Sequence, residues 1–324
     1  MKKIFTVLLA MAMILSFAAC KDQGTPQDDS IIDVNLKILI EQDDSMINTY
    51  SLLAVNDAAP FEDADGNPVS DVTLNTQGAD ALINWLLSKE GKELAANYGY
   101  DEYGQYLFYL LDDGASSDAE IPQATEATKL IRMSTTTSVN DSGLLGYLIP
   151  KFEEAYGYEV EIFSAGTGKA IANAKCGNAD LILVHAKAQE EDFINAGFAR
   201  KIDGQNAERL PYMYNYFVLC GPSEDPVGVK EMSVTDAFAA IAEQGAKFVS
   251  RGDGSGTHTK ELSLWPPELG ITEDPASFAN YDWYISSNAG MGACLLQASE
   301  QGAYILSDKA TFLTFVANGG KTEA

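Results

Sequence analysis

The stretch YEVEIFSAGTGKAIANAKCGNADLILVHA, residues 158–186, decides the fold class. It alternates an apolar strand, a short glycine turn, a helix of small residues and a second strand that is apolar throughout. A continuously apolar strand is typical of a parallel sheet covered by helices on both faces. The preceding residues predict a strand at KLIRM, a loop at STTTS and a helix at DSGLLGYLIPKFEEAYG with a kink at Pro150. This order predicts an α/β fold with helices packed on a parallel sheet.

A second set of alternating elements follows. Strands are predicted at MYNYFVLCGP, AKFVSRG and YDWYISS. Helices are predicted at VTDAFAAIAEQG, at GTHTKELSLWPPELG with an end by Pro266, and at GMGACLLQASEQG, while the strand-like AYILSD and TFLTFVA close the chain. Before residue 112, strands are predicted at 36–40 and 48–56, a loop at 57–76, and a helix at 78–99 that Gly91 splits. The pattern therefore predicts two α/β lobes.

The N-terminus has the form of a secretion signal. A basic MKK precedes the apolar run IFTVLLAMAMILSFAA, and Cys20 follows two alanines. This arrangement resembles a bacterial lipoprotein signal, in which the cysteine carries the lipid; the alternative is an ordinary signal with a chance cysteine. We expect a signal peptide at 1–19, a lipid anchor at Cys20 with a tether over 20–33, and an extracytoplasmic, membrane-attached chain.

Composition and charge exclude several classes of function. The 324 residues are 46% hydrophobic, which is ordinary for a globular protein, and the net charge is −26. So acidic a chain does not bind nucleic acid by neutralising phosphates. The remaining cysteines form no C-x-x-C pair and no disulfide framework, and there are only two histidines, so a bound metal cation is not expected. These residues are Cys176, Cys220, Cys294, His185 and His258.

The segment STTTSVNDSG, residues 134–143, opens with five consecutive hydroxyl side chains between a predicted strand and a predicted helix. Backbone N–H groups at a helix start are unpaired, and the helix dipole favours negative charge there. Neutral hydroxyls add donors without adding a countercharge. Helix capping by Asp141 or Ser142 is the alternative, but one cap needs only one such residue. The segment therefore predicts a site for a small oxyanion.

Two other glycine-containing helix starts carry weaker signals. SAGTGKA, residues 164–170, is not a phosphate-binding P-loop, because Phe163 stands where the first glycine is needed and Ala170 where Ser or Thr is needed. It leaves Thr167 as a donor at a helix start. GMGACLLQ, residues 290–297, is explained equally well by close packing on a strand.

The segment SRGDGSGTH, residues 250–258, supplies the predicted charged group. Arg251 offers a planar guanidinium fork that matches an oxyanion, and Ser255 and Thr257 add hydroxyls at the next helix start. Its RGD tripeptide would be an adhesion signal on an exposed loop, but three-residue motifs occur by chance. His258 is the one candidate base for an alternative function in phosphoryl or acyl transfer.

Together, TTTSVNDSGLL, AGTGKA, ADLILVHA, MYNYFVL and FVSRGDGSGTHTKELSLW resemble the tungstate-binding proteins of bacterial ABC uptake systems, as does WYISSNAGMGACLLQASEQGAYILSD. The resemblance covers residues 130–316. It implies the two-lobed periplasmic-binding-protein fold of type II, with two strands crossing the hinge and tungstate or molybdate held between the lobes. Carried over by motif, the ligand shell uses Thr136 or Thr137 with Ser138 nearby, Thr167, Arg251 and Thr257. Residues 199–211 depart from the family pattern.

The order of the segments differs from that of the family. Elements resembling the family's C-terminal ones, LKILIEQDDSMINTYSLLAVN, ALINWLLSKEGKELAANYG and DEYGQYLFY, stand at the front of this chain. We therefore expect a circular permutant, in which residues 112–127 join the ancestral termini. One lobe would combine 50–111 with 128–216, and the other 34–49 with 217–317, with hinge strands near 49–55 and 214–219. A domain swap between two molecules is the alternative.

The resulting prediction is a solute-binding protein, not an enzyme, that closes over tungstate or molybdate and delivers it to a membrane permease. It implies no cofactor, no nucleic acid, contact with the membrane only through the lipid, and a monomer. A sensor lipoprotein that binds another small oxyanion is the second alternative.

Overall fold

The structure is a computed structural model that describes residues 34–320. The predicted signal peptide, the lipid anchor at Cys20 and the tether lie outside the described residues. Within residues 34–320, no helix is both long enough and apolar enough to cross a membrane.

Strands and helices alternate along most of the described chain. The strands are β1 (Lys37–Ile40), β2 (Ile47–Val55), β3 (Tyr109–Leu110), β4 (Leu130–Thr136), β5 (Glu159–Ala165), β6 (Leu181–Val184), β7 (Ala199–Arg200), β8 (Leu210–Gly221), β9 (Phe248–Ser250), β10 (Tyr284–Ser286) and β11 (Tyr304–Asp308). The helices are α1 (Thr76–Leu87), α2 (Lys89–Asn97), α3 (Tyr100–Tyr103), α4 (Thr137–Asp141), α5 (Leu144–Tyr156), α6 (Thr167–Lys175), α7 (Lys187–Asn195), α8 (Val234–Gln244), α9 (Gly256–Leu262), α10 (Met291–Gln301) and α11 (Lys309–Ala317).

The eleven strands form one mixed sheet, in which eight follow the order β10-β9-β11-β8-β2-β6-β4-β5, while β1 and β3 also pair with β8 and β7 with β2. The predicted parallel pairing is confirmed at both ends: β4 is parallel to β5 and β6, and β9 is parallel to β10 and β11. β4 and β5 pair over seven residues, from Leu130 with Glu159 to Thr136 with Ala165. The carboxyl ends of these two strands therefore lie side by side.

Strands β2 and β8 connect the two parallel parts of the sheet. β2 is antiparallel to β6 on one side and to β8 on the other. β8 pairs with β2 up to Tyr216 and with β11 from Phe217 onward. The partners of β8 change where the predicted lobe boundary falls, but the division into lobes stays a prediction.

Each part of the sheet is covered on both faces by helices. Alternate residues of β2 contribute to separate apolar clusters, with Leu52 in a cluster under α1 and α5, and Leu53 in a cluster under α6. Alternate residues of β8 do the same, with Leu219 packing towards α8 and Val218 towards α10 and α11. The period of two along each strand thus divides the core into four clusters.

Several local predictions are wrong for identifiable reasons. The helix predicted at 78–99 breaks at Ser88, not at Gly91, because the Ser88 side chain caps α2 by accepting the Gly91 N–H. STTTS is not a loop, since β4 continues to Thr136 and α4 begins at Thr137. TFLTFVA is helical, because Asp308 caps α11 by accepting the Thr311 N–H.

The helix α5 also differs from prediction at its start. Neither Asp141 nor Ser142 is its N-cap; Gly143 occupies that position with φ of 80°, where a Cβ would also collide with the Tyr98 hydroxyl. The helix then continues through Pro150 to Tyr156.

Residues 112–127 contain no helix or strand, yet they are fastened to the body of the protein. The Ala115 N–H donates to the Pro211 carbonyl at 2.8 Å, and the Ala124 N–H donates to the Tyr156 carbonyl at 2.8 Å. Ile121 packs against the core cluster under α1 and α5. The predicted linker is therefore a surface strap.

Candidate functional site

Three helix starts meet between the two parallel parts of the sheet. α4 follows β4 and α6 follows β5, and the paired carboxyl ends of those strands bring Thr137 and Thr167 together. α9 follows β9 from the other part of the sheet. It approaches so closely that a Cβ added at Gly166 would lie 3.4 Å from the Cβ of Ser255. The structure thus brings SAGTGKA and SRGDGSGTH, segments about 90 residues apart, into contact.

The five hydroxyls of STTTS fall into two groups. Ser134 donates to the Ala170 carbonyl at 2.9 Å, and Thr135 donates to the Leu183 carbonyl at 2.7 Å. Both side chains are fully buried and serve the packing of β4 against its neighbours. Only Thr136, Thr137 and Ser138 remain for a ligand, which are the three that the sequence assigned.

Ser138 is the centre of a buried hydroxyl network. Its Oγ lies 3.1 Å from the Thr136 Oγ1, 3.1 Å from the Tyr50 hydroxyl and 3.3 Å from the His185 Nε2. Tyr50 in turn accepts from the Asn48 side-chain amide at 3.0 Å. The network connects the start of α4 to the long strand β2 through hydrogen bonds. A ligand bound at α4 would therefore be coupled to the position of that strand.

Thr167 is a buried hydroxyl at the start of α6. It is fully buried as the first residue of α6, and its Oγ1 has no hydrogen-bond partner among the described residues. A buried hydroxyl without a partner costs about 1–3 kcal/mol. It lies at a helix start, where an anion would receive its hydrogen bond together with those of backbone N–H groups.

Arg251 is buried at the carboxyl end of β9, with 4% of its surface exposed. Its Nη2 donates to Asp253 at 2.5 Å, and its Nε donates to the Ala289 carbonyl at 3.3 Å. These two contacts fix the plane of the guanidinium, while Nη1 has no hydrogen-bond partner in residues 34–320. The RGD tripeptide is consequently a buried ion pair and not an exposed adhesion loop.

The predicted donors Ser255 and Thr257 stand at the start of α9. Ser255 is the N-cap, and its Oγ accepts the His258 N–H at 3.3 Å. Its hydroxyl therefore already serves as the helix cap. Thr257 is buried in the first turn beside it. His258 accepts the Gly254 N–H on its Nδ1 at 3.0 Å, so that nitrogen holds the loop and is not free to act as a base.

His185 joins the two sides of the site. It follows β6, and a Cβ at Gly256 in α9 would collide with its ring. Its Nδ1 is buried without a hydrogen-bond partner in the described part of the chain. Burial, assisted by the positive charge of Arg251, lowers the pKa of His185 to about 4, so the ring is neutral at physiological pH.

Sequence reasoning missed the polar residues that the long strands contribute. Asn48 and Asn215 face each other across β2 and β8, joined by a 3.0 Å hydrogen bond, and both are buried. Asp308 is fully buried at the start of α11, where burial raises its pKa to about 6. The sequence contains a signal for these residues, because Asn and Asp interrupt otherwise apolar strands. A buried amide can also have a purely structural role, however, so the signal does not identify a site.

A cavity of about 520 Å³ adjoins this site. His185 and Gly256 line it, but none of the seven residues predicted to bind the ligand does. Two of the predicted residues, Thr136 and Ser138, are in direct contact, with 3.1 Å between their hydroxyl oxygens. Among residues 34–320, no three His, Cys, Asp or Glu side chains are arranged to hold a metal ion.

Comparisons with known proteins show the family of the chain. A family model described as the PBP superfamily domain matches residues 122–324, which is more than half of the chain. The chain belongs to the PBP superfamily. The periplasmic-binding-protein fold predicted from the sequence is thereby confirmed.

Two named relatives give a more specific comparison than the family model does. The tungstate-binding protein TupA of Peptoclostridium acidaminophilum is 44% identical over 208 residues, which cover 63% of this chain and 68% of that protein. A putative ABC transporter anion-binding protein of Haloferax volcanii is 45% identical over 188 residues, which cover 58% of this chain and 51% of that protein. The resemblance to the tungstate-binding proteins is confirmed, and so is the expectation that the chain is not an enzyme, since these relatives are binding proteins.

Solved structures are also similar, and one of them has a related name. It is the tungstate ABC transporter protein from Geobacter sulfurreducens, with 39% sequence identity and a TM-score of 0.48, covering 58% of this chain and 75% of that one.

Proposed function

We propose that the chain is the solute-binding component of an ABC transporter, which captures tungstate between the two parts of its sheet and delivers it to a membrane permease. Molybdate, which has the same charge and tetrahedral shape, is the second ligand of the same site. The names of the two relatives support this proposal, one as a tungstate-binding and the other as an anion-binding protein.

The observation that carries the proposal is the pairing of a buried, unpartnered donor with a fixed cation. The Thr167 hydroxyl and the Arg251 guanidinium come from opposite parts of the sheet, and both are at least 96% buried. Thr136, Thr137, Ser138 and Thr257 stand at the same helix starts. An oxyanion bound here would accept from hydroxyls and helix-start N–H groups and would be paired by one arginine.

The donors are suited to a dianion in a strongly acidic protein. A net charge of −26 repels anions, although salt screens this repulsion beyond about 10 Å. Local dipoles must therefore provide the affinity. Sulfate has the same charge and shape but shorter bonds, so selection against it is expected to come from the size of the cavity.

The circular permutation is part of the proposal. The family model begins at residue 122, yet the preceding block supplies β2, which pairs with β6 and β8 in the centre of the sheet. Ancestral termini joined by the strap at 112–127 would explain both facts. We also propose that the chain works outside the cytoplasm as a monomer, held to the membrane by a lipid on Cys20.

A titration of purified protein, residues 21–324, with tungstate, molybdate, sulfate and phosphate tests the proposed function. We expect one-to-one binding of tungstate, weaker binding of sulfate, and loss of tungstate binding in Arg251→Ala. Lys169→Ala is the matched control: this exposed lysine follows the Thr167 turn, and its removal should leave binding intact.

A folded monomer that binds no tungstate would overturn the proposed function. Loss of tungstate binding in Lys169→Ala, with binding retained in Arg251→Ala, would show that the anion is paired by Lys169 and not by Arg251. Binding by a dimer alone would replace the permutation with a domain swap.

A further inference from the structure

The 520 Å³ cavity lies beside the long strands, outside the proposed oxyanion shell. Its walls come from both parts of the sheet. Residues 47–49 of β2, the start of α7 at Lys187, and Arg209 form one side, and Thr259, Lys260 and Ser263 on or just after α9 form the other. A molecule in this cavity would therefore touch both sides of the cleft at once.

Cationic side chains outnumber acidic ones in the cavity wall, although the protein as a whole is acidic. Three of its twelve lining residues are cationic and none is acidic, in a chain that has 47 acidic and 21 basic residues. Arg209 is paired with Glu190 at 2.6 Å, and Lys187 lies 3.7 Å from Glu191. Lys260 forms no ion pair within 4 Å and no hydrogen bond through its amino group within residues 34–320; burial lowers its pKa, and the charge of Asp43 opposes that shift.

The backbone adds to this positive character. α7 has nine residues and begins in the cavity wall at Lys187, with no side chain capping its first N–H groups. The His185 Nδ1 is likewise buried without a partner in the described chain. An uncapped helix start and a half-buried, unpaired lysine on facing walls both favour an anion.

The cavity is larger than a simple tetrahedral oxyanion would fill. Small organic ligands occupy pockets of about 300–1,000 Å³, and this cavity falls within that range. Ile47, Ala186 and Phe217 add apolar surface to the walls. A ligand that filled the space would have a carbon or phosphoanhydride framework between its charged groups.

We infer that this cavity is a second anion-binding site, for a small organic or condensed anion with at least two carboxylate or phosphate groups. One charged group would lie at Lys260 and another at the start of α7 beside Lys187. Because these residues stand on opposite walls, the occupant would bridge the two parts of the sheet. The site shares no residue with the seven assigned to the oxyanion.

Calorimetric titration with citrate and, separately, with pyrophosphate tests this inference. We expect one site for at least one probe, with affinity that falls as salt rises. Lys260→Gln and Lys187→Gln should each weaken binding about fivefold, and the double variant more. Lys230→Gln, which removes an exposed lysine outside the cavity, is the matched control and should bind as the parent does. Arg209 is left intact, because its loss would leave the fully buried Glu190 unpaired.

The same titration in Arg251→Ala separates this inference from the proposed function. Binding of the probe that persists in Arg251→Ala and is reduced in Lys260→Gln supports a second site, whether or not tungstate binds. Binding that tungstate abolishes, or that Arg251→Ala removes, would place the probe in the oxyanion shell. A probe placed in the oxyanion shell would overturn the inference. So would equal affinity of the probe for Lys260→Gln and Lys230→Gln, or no binding of either probe at millimolar concentration.

Discussion

At the scale of single residues, hydroxyls of the same type have opposite roles depending on their partners. Thr135 donates to the Leu183 carbonyl, whereas the Thr167 hydroxyl is buried without a partner in the described chain. A satisfied hydroxyl contributes about 0.5–1.5 kcal/mol to stability, and an unsatisfied one reduces it. The Thr167 hydroxyl receives no such contribution from the described residues, and a bound oxyanion would supply its partner.

The exchange of these two threonines for valine separates their roles. We expect Thr167→Val to leave the free energy of unfolding unchanged or to raise it by up to about 1 kcal/mol, while tungstate affinity falls about tenfold. Thr135→Val should lower the free energy of unfolding by about 1 kcal/mol and leave tungstate affinity unchanged. Urea denaturation and calorimetry of both variants provide the measurements. If Thr167→Val binds tungstate as tightly as the parent, Thr167 is not in the ligand shell.

At the scale of elements, α9 joins the site to the core. Ser255 caps the end at the site, and Glu261 lies in the last turn, buried with 2% of its surface exposed. The Glu261 Oε1 accepts from the Trp265 indole at 2.9 Å and from the Tyr284 hydroxyl at 2.7 Å. Burial nevertheless dominates and raises the pKa of Glu261 to about 7.

This buried carboxyl predicts a pH dependence of stability. Because its folded pKa is raised from 4.5 to about 7, Glu261 keeps its proton in the folded chain where the unfolded chain has released it. Its stabilising contribution is therefore complete below pH 4.5 and is lost as the pH rises through about 7. Glu261→Gln, which keeps the acceptor oxygen, removes this dependence.

We expect the free energy of unfolding of Glu261→Gln, relative to the parent, to increase by roughly 3 kcal/mol between pH 4.5 and pH 8. Urea denaturation at several pH values measures it. Glu268→Gln, at an exposed position after the same helix, controls for the loss of one negative charge. A constant difference between Glu261→Gln and the parent at every pH would contradict the buried ionisation.

At the scale of the whole molecule, the sheet depends on a strand from the front of the chain. β2 pairs with β8 from Ile47 to Leu52 and with β6 from Ser51 to Ala54, so it fills the space between the two parallel parts. The strap at 112–127 is the covalent route from this block to β4. We expect the pairing of β2 with its neighbours to hold the folded sheet together more strongly than the covalent connection through the strap does.

Cleavage of the strap tests this reasoning. A protease site placed at 118–120, three exposed residues, should be cut in the folded protein. We expect the two pieces to remain together and to bind tungstate with unchanged affinity, because β2 stays paired on both edges. Native mass spectrometry and calorimetry measure this. Pieces that separate without denaturant would show that the strap holds the front block in place.

The sequence by itself determined the local features of this protein. The alternation of strands and helices follows from periods of two and 3.6 residues, and the hydroxyl and glycine segments at helix starts are contiguous in the chain. These features sufficed for the fold class, for the resemblance to the tungstate-binding proteins and for the selection of Thr136, Thr137, Ser138, Thr167 and Arg251. The lobe boundaries and the ligand contacts of these residues remain predictions.

Only the tertiary structure decided which polar groups already have partners. The Ser134 hydroxyl donates to a carbonyl 36 residues away, and the Thr135 hydroxyl donates to one 48 residues away. Neither role can therefore be predicted from neighbouring residues. The structure also brought Tyr50, from the front of the chain, to Ser138, and placed His185 against Gly256. Helix and strand patterns are set by residues a few positions apart, whereas a hydrogen bond in the core depends on pairing between distant segments.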